Sequence, residues 1–122
     1  MIKVDIVTST FNAESYIKLF LEKVSNLFNN SNKFQLSQII IVDDGSTDQT
    51  INKIISLKKN STNKVKIIKL SRNYGQHTAL KEGIKSCNSD ICFLLDSDLQ
   101  EDPNDFFKLY ELMSNKKLEL VY

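Results

Sequence analysis

Ile39-Ile40-Ile41-Val42-Asp43-Asp44-Gly45-Ser46 joins a continuous β-branched run to an acidic turn. Four such residues in succession leave no polar face, which predicts a strand buried on both sides, as in a parallel sheet. Gly45 then supplies a turn. Ser46 and Gln49 have the spacing of a capping box, so a helix is expected through Ile51, Ile54, Ile55 and Leu57.

The same alternation extends in both directions from this stretch. Lys3 to Thr10 reads as a strand. Within Glu14 to Phe28, residues Ile17, Phe20, Leu21, Val24, Leu27 and Phe28 share one helical face. The polar stretch Asn29 to Lys33 ends that helix. Beyond a loop at Asn60 to Asn63, Val65 to Leu70 is a third strand. After a polar turn at Ser71 to Gln76, Ala79, Leu80, Gly83, Ile84 and Cys87 line a third helix. Ile91 to Leu95 is a fourth strand. Asp102-Pro103 reads as an N-cap with proline at the first helical position, ahead of Phe106, Leu109, Tyr110 and Met113. Leu118 to Tyr122 is expected to begin a fifth strand. The βαβαβαβαβ order predicts an α/β fold, with a mostly parallel sheet, right-handed crossovers and helices on both faces. The 122 residues suffice for one domain spanning 1–122.

Composition excludes several classes. Sixteen basic and fifteen acidic residues leave a net charge of +1, so no nucleic-acid partner is expected. The longest apolar run, Ile91 to Leu95, is far shorter than the roughly 18 residues that cross a bilayer. Cys87 and Cys92 match no Cys-x-x-Cys pattern and fall in apolar stretches, which predicts buried free thiols. With no signal peptide, the expected location is cytoplasmic. Gly45, Gly75 and Gly83 are the only glycines, so neither a Gly-x-Gly-x-x-Gly fingerprint nor a phosphate-binding P-loop is present. His77, the single histidine, has no partnered serine or cysteine to form a triad. Arg72, the single arginine, reads either as a surface residue or as a phosphate contact.

Ligands of doubly wound sheets bind beyond the carboxyl ends of strands. Polar residues collect at those ends: Ser9 to Asn12, Asp43-Asp44, Ser71 to Asn73 and Asp96 to Gln100. Asp96, Asp98, Glu101, Asp102 and Asp105 place five of the fifteen acids within ten residues. Such a cluster needs solvent, a helix N-terminus or a cation to relieve its repulsion. In an extended segment Asp96 and Asp98 point the same way. Their oxygen donors suit Mg2+ or Mn2+, and Gln100 is placed to add a third oxygen or hold a metal-bound water. The plainer alternative is a solvated loop capping the next helix, and Asp102 fits that role.

Together, Thr8-Ser9-Thr10-Phe11-Asn12, Val42-Asp43-Asp44-Gly45-Ser46-Thr47-Asp48 and Asp96-Ser97-Asp98 resemble the family 2 glycosyltransferases of GT-A fold. Within that family, Ser71-Arg72-Asn73-Tyr74-Gly75-Gln76-His77 and Asp96 to Pro103 are similar to the polyprenyl-phosphate (undecaprenyl- or dolichyl-phosphate) enzymes. The resemblance implies a Rossmann-like nucleotide-sugar-binding fold and a UDP- or GDP-sugar donor. It also implies inverting, cation-dependent transfer to a lipid-phosphate acceptor at the inner face of a membrane. Ser9 (proline in many relatives) and Phe11 (tyrosine in many) would line the nucleoside pocket, and Asp44 would contact the base. Asp96 and Ser97 would lie along the ribose and diphosphate. Asp98 would be the catalytic residue and principal metal ligand, with Asp96 and Gln100 completing the metal set. Ala13 departs from the family, where many members carry glutamate.

Such domains run to roughly 200 to 250 residues, so the chain is expected to be a truncated, N-terminal nucleotide-sugar-binding portion. On that expectation it transfers sugar poorly alone and exposes a sheet edge that favours self-association. Two rivals remain: a non-catalytic nucleotide-binding module, and a signalling receiver domain. In the latter the acidic pair follows the first strand, whereas here it follows the second.

Overall fold

The central β-branched run forms the last half of a ten-residue strand in the computed structural model, which describes residues 1–98, 102 and 104–116. The elements are β1 (Ile2–Thr10), α1 (Ile17–Asn29), β2 (Phe34–Asp43), α2 (Thr50–Lys59), β3 (Val65–Lys69), α3 (Gln76–Ile84), β4 (Ile91–Leu94) and α4 (Asp105–Lys116). The strand expected from Leu118 lies outside the described residues, as do Gln100 and Pro103.

All strand pairs are parallel, in the order β3-β2-β1-β4. The chain moves outward from β1 to β2 and β3, then returns to the other side of β1. The topological switch point therefore lies between β1 and β4, where an open α/β sheet forms its ligand crevice.

Alternation along the strands divides the core in two. Val4, Ile6, Ile39, Ile41, Val65 and Phe93 point toward α1, α2 and α4, packing on Ile17, Phe20, Val24, Ile54 and Phe106. Val7, Ile40 and Val42 point the other way, toward Ala79 of α3. Among the described residues helices thus cover both faces, three against one. Gly83 permits close approach of α3, because a Cβ there would lie 2.4 Å from Val7 Cγ1. On the three-helix face Phe106 stacks edge-on against Phe34 and Phe93, with ring centroids 5.0 and 5.1 Å apart.

Three local expectations change. β2 begins at Phe34 rather than Ile39, because β1 pairs with it from Ile2 onward, and a bulge opposite Val4 and Asp5 re-aims Gln38. Gln38 Nε2 then donates to the buried Asp5 carboxylate (3.1 Å), which also accepts from Asn88 N–H (2.9 Å) and Ser89 Oγ (2.6 Å). Those bonds fasten the α3–β4 connection to β1. Ser46 and Gln49 do not form a capping box. Asp48 instead accepts from the Thr50 N–H at 3.0 Å, and Ser46 is occupied in the turn before it. Asp102 lies ahead of α4 and accepts from the Asn104 backbone N–H at 3.0 Å, so the helix begins later than expected, at Asp105. Cys87 and Cys92 are free but only half-buried. Burial pushes both thiols up from their ordinary value.

Candidate functional site

The strand ends are set by hydrogen bonds among their own polar residues. After β2, Asp43 is fully buried and accepts from Thr10 Oγ1 (2.9 Å), Ser46 N–H (2.9 Å) and Ser46 Oγ (2.6 Å). Ser46 Oγ in turn accepts from the Asn12 N–H at 2.8 Å. Asn12 sits at φ 51°, a left-handed conformation that asparagine tolerates. Its side-chain oxygen accepts from Thr47 N–H at 2.9 Å. Ala13 N–H donates to Thr50 Oγ1 at 2.8 Å, and Lys53 Nζ donates to the Glu14 carbonyl at 2.8 Å. The β1–α1 and β2–α2 loops therefore form one latched unit.

Asp44 lies beside this unit and is also buried. Its Oδ1 accepts from the Tyr74 N–H at 2.7 Å and its Oδ2 from the Gly75 N–H at 3.0 Å. The β3–α3 loop is thereby drawn against the β2–α2 loop. Gly45 makes this possible: it has φ 78°, and a Cβ would meet the Arg72 backbone carbonyl carbon at 2.5 Å. Arg72 itself is exposed, with its guanidinium carbon 4.9 Å from the Tyr74 ring centroid.

After β4 the chain turns at Ser97 and Asp98 rather than continuing extended. Ser97 is buried, and its hydroxyl donates to the Ser9 carbonyl at 2.9 Å, joining the end of β4 to the end of β1. Asp96 is half-buried and Asp98 exposed. Gln76, the first residue of α3, donates from Nε2 to Asp96 Oδ1 at 2.8 Å.

These ends enclose a cleft of about 350 Å³ at the switch point, lined by Ser9, Phe11, Asp44, Asp96, Ser97 and Asp98 among others. Six of the seven residues singled out from sequence therefore line one cavity, and the seventh, Gln100, lies outside the described residues. The same wall includes Tyr16, Asn73, Gly75 and Gln76. Asn73 belongs to a strand-end stretch noted in the sequence but was given no role in the site, whereas Tyr16, Gly75 and Gln76 sit at helix starts, outside the strand-end pattern. His77 is exposed. Among the described residues no group of three or more His, Cys, Asp or Glu is arranged to hold a metal. The donor set at the cleft is Asp96 and Asp98, and two carboxylates suit a hard cation that completes its shell with water and substrate phosphate.

The comparisons with known proteins agree with this architecture. A mannosyltransferase from Pyrobaculum calidifontis, solved with GDP-mannose and Mn2+, superposes with a TM-score of 0.76 at 17% identity, covering 91% of this chain and 32% of that one. Glucosyl-3-phosphoglycerate synthase from Mycobacterium tuberculosis, solved with Mn2+, UDP and glucosyl-3-phosphoglycerate, gives 0.69 at 20% identity, covering 92% and 39%. These likenesses show the fold, which is of GT-A type. Undecaprenyl-phosphate 4-deoxy-4-formamido-L-arabinose transferase from Photorhabdus laumondii is 36% identical over 107 residues, 88% of this chain and 32% of the relative. The chain spans about a third of the length of the curated relatives it matches. Among the described residues no helix is long and apolar enough to cross a membrane. The family model "Glycosyl transferase family 2" matches residues 5–122, nearly the whole chain including every strand end that lines the cleft, and the chain belongs to that family.

Proposed function

We propose that residues 1–122 are the N-terminal, nucleotide-sugar-binding portion of an inverting glycosyltransferase that takes a UDP- or GDP-sugar and delivers the sugar to a polyprenyl phosphate. The observation that carries this reading is the convergence of Ser9, Phe11, Asp44, Asp96 and Asp98 on one cleft at the β1–β4 switch point. The arabinose transferase likeness supports the lipid-phosphate acceptor, and the Mn2+-bound structural neighbours support a divalent cation, Mg2+ or Mn2+.

Each residue has a definite task. Phe11, 45% exposed at the cleft, offers a ring face to the nucleoside. Asp44 already holds two backbone amides, and a carboxylate with about four acceptor sites has room for a base N–H. Asp96 and Asp98 would hold the cation against the diphosphate, with Gln100 as the expected further oxygen. When bound, the cation supplies charge neutralisation for the departing nucleoside diphosphate. Ser97 fixes the acidic turn to β1 through its bond to Ser9. A lipid phosphate is already anionic at neutral pH, its second pKa being about 6, so the acceptor attacks without a strong general base. At the membrane surface such an acceptor would meet a peripheral, cytoplasmic-side domain.

Calorimetric titration of UDP, GDP and their sugars, with Mn2+ and with chelator, tests the reading. One nucleotide is expected to bind more tightly with Mn2+, and Asp98→Ala is expected to remove that gain. Binding of neither nucleotide under any condition overturns it.

A further inference from the structure

We propose that Gln76 is a positioning residue that holds Asp96 for cation binding and couples the cation side of the cleft to its nucleoside side. The inference rests on the nucleotide-sugar reading above. Its observation is separate: three consecutive residues of the β3–α3 junction grip both acidic turns. Tyr74 and Gly75 donate their backbone N–H groups to the two oxygens of Asp44, at 2.7 and 3.0 Å. Gln76, next in the chain, donates its side-chain amide to Asp96 Oδ1 at 2.8 Å. A displacement of Asp44 by a bound base would move the Tyr74 and Gly75 backbone, and with it the adjoining Gln76 that holds Asp96. The Gly45 contact with the Arg72 and Asn73 backbone removes slack from the same loop.

The chemistry of the side chain suits this task. Asp96 stands two residues from Asp98, and the two line the same cleft. An amide donates without carrying charge. A lysine or arginine here would form an ion pair with Asp96 and compete with the incoming cation. The amide instead fixes the carboxylate plane and leaves the local charge negative. Outer-sphere partners of this kind typically change metal affinity by about 10- to 100-fold when removed.

The test compares nucleotide affinity in Mn2+ with affinity in chelator, for the nucleotide that the wild-type chain prefers. Gln76→Ala is expected to shrink the Mn2+ gain about tenfold, with affinity in chelator and thermal midpoint unchanged. Gln76→Lys is expected to shrink the gain as well, while tightening binding in chelator, because its ammonium substitutes for part of the cation's charge. A role in folding alone predicts neither the split nor the opposite sign. His77→Ala, at the exposed neighbouring position, is expected to leave both affinities as in wild type. The proposal is overturned by an unchanged Mn2+ gain in Gln76→Ala, or by equal losses in Mn2+ and chelator. Absence of any Mn2+ gain in the wild-type chain overturns the functional reading itself, and this inference with it.

Discussion

Two acidic turns flank the end of β1, and they use the same side chain in opposite ways. Asp43 and Asp44, after β2, are buried, and their carboxylates are engaged by the chain's own N–H and O–H groups. Asp96 and Asp98, after β4, reach the solvent side of the cleft, and Asp96 is steadied by one neutral amide. On the proposed function the first turn is chiefly the frame, with Asp44 also facing the base, and the second is the instrument that takes the cation. A buried carboxylate needs hydrogen-bond donors to be tolerated, whereas one proposed to hold a cation must direct oxygen lone pairs at it. Position after a parallel strand does not separate the two turns; burial does.

The contrast breaks most easily at Asp43. Asp43→Ala strips the acceptor from Thr10 Oγ1, Ser46 N–H and Ser46 Oγ at once. Hydrogen bonds to charged groups contribute about 1.5 to 3 kcal/mol each, so with three lost a cost of at least about 4.5 kcal/mol in unfolding free energy is expected. Asp96→Ala is expected to cost no more than about 1 kcal/mol, since its one described bond is to an exposed amide. Urea denaturation of the two variants checks both. Similar costs at the two positions would dissolve the distinction between frame and instrument.

Gly45→Ala probes the frame without touching a charge. A side chain at φ 78° is strained, and its Cβ would press on the Arg72 backbone at 2.5 Å. The expected cost is about 2 to 3 kcal/mol. Because the clash pushes the β3–α3 loop away, metal-dependent nucleotide binding is expected to weaken beyond what stability alone explains. Measuring nucleotide affinity well below the variant's melting temperature separates the two effects. An unstrained Gly45→Ala would show that the two loops are less tightly joined than their hydrogen bonds imply.

Much of this architecture was legible in the sequence because it rests on periodicity. The continuous Ile39 to Val42 run marked a strand buried on both faces, and Ile40 and Val42 indeed face α3 while Ile39 and Ile41 face the other helices. The gathering of polar residues at strand ends placed six candidate residues on one cleft. Local donor competition was not legible. Ser46 has the spacing of an N-cap, yet its hydroxyl is spent between Asp43 and Asn12, so Asp48 bonds the Thr50 N–H instead. Gln76 was passed over for a related reason. Its partner Asp96 lies twenty residues away in sequence, and no pattern within α3 announces a contact made across the cleft. Phe34-Gln35-Leu36-Ser37 does alternate apolar and polar, but over only four residues before Gln38 breaks the pattern, and it is the pairing with β1 that makes this stretch a strand.

Asp48 gives the finest test, because it is an acid of the frame that is not fully buried. The Thr50 hydroxyl, aided by the Thr50 and Glu14 backbone N–H groups, holds its carboxyl below the ordinary value of 3.8. A depressed folded-state pKa means that the ionised form contributes stability above the ordinary value, and that this contribution is lost as pH falls through the depressed one. Stability of the wild-type chain is therefore expected to decline below about pH 4, and part of that decline should vanish in Asp48→Asn, which cannot titrate. The amide keeps an oxygen for the Thr50 N–H, so the variant is expected to be slightly less stable than wild type at neutral pH and to approach it in acid. Parallel pH profiles for the two proteins would assign the acid sensitivity to groups other than Asp48. Converging profiles would show that even a partly exposed aspartate belongs to the frame when the Thr50 hydroxyl and the Thr50 and Glu14 backbone N–H groups supply its donors.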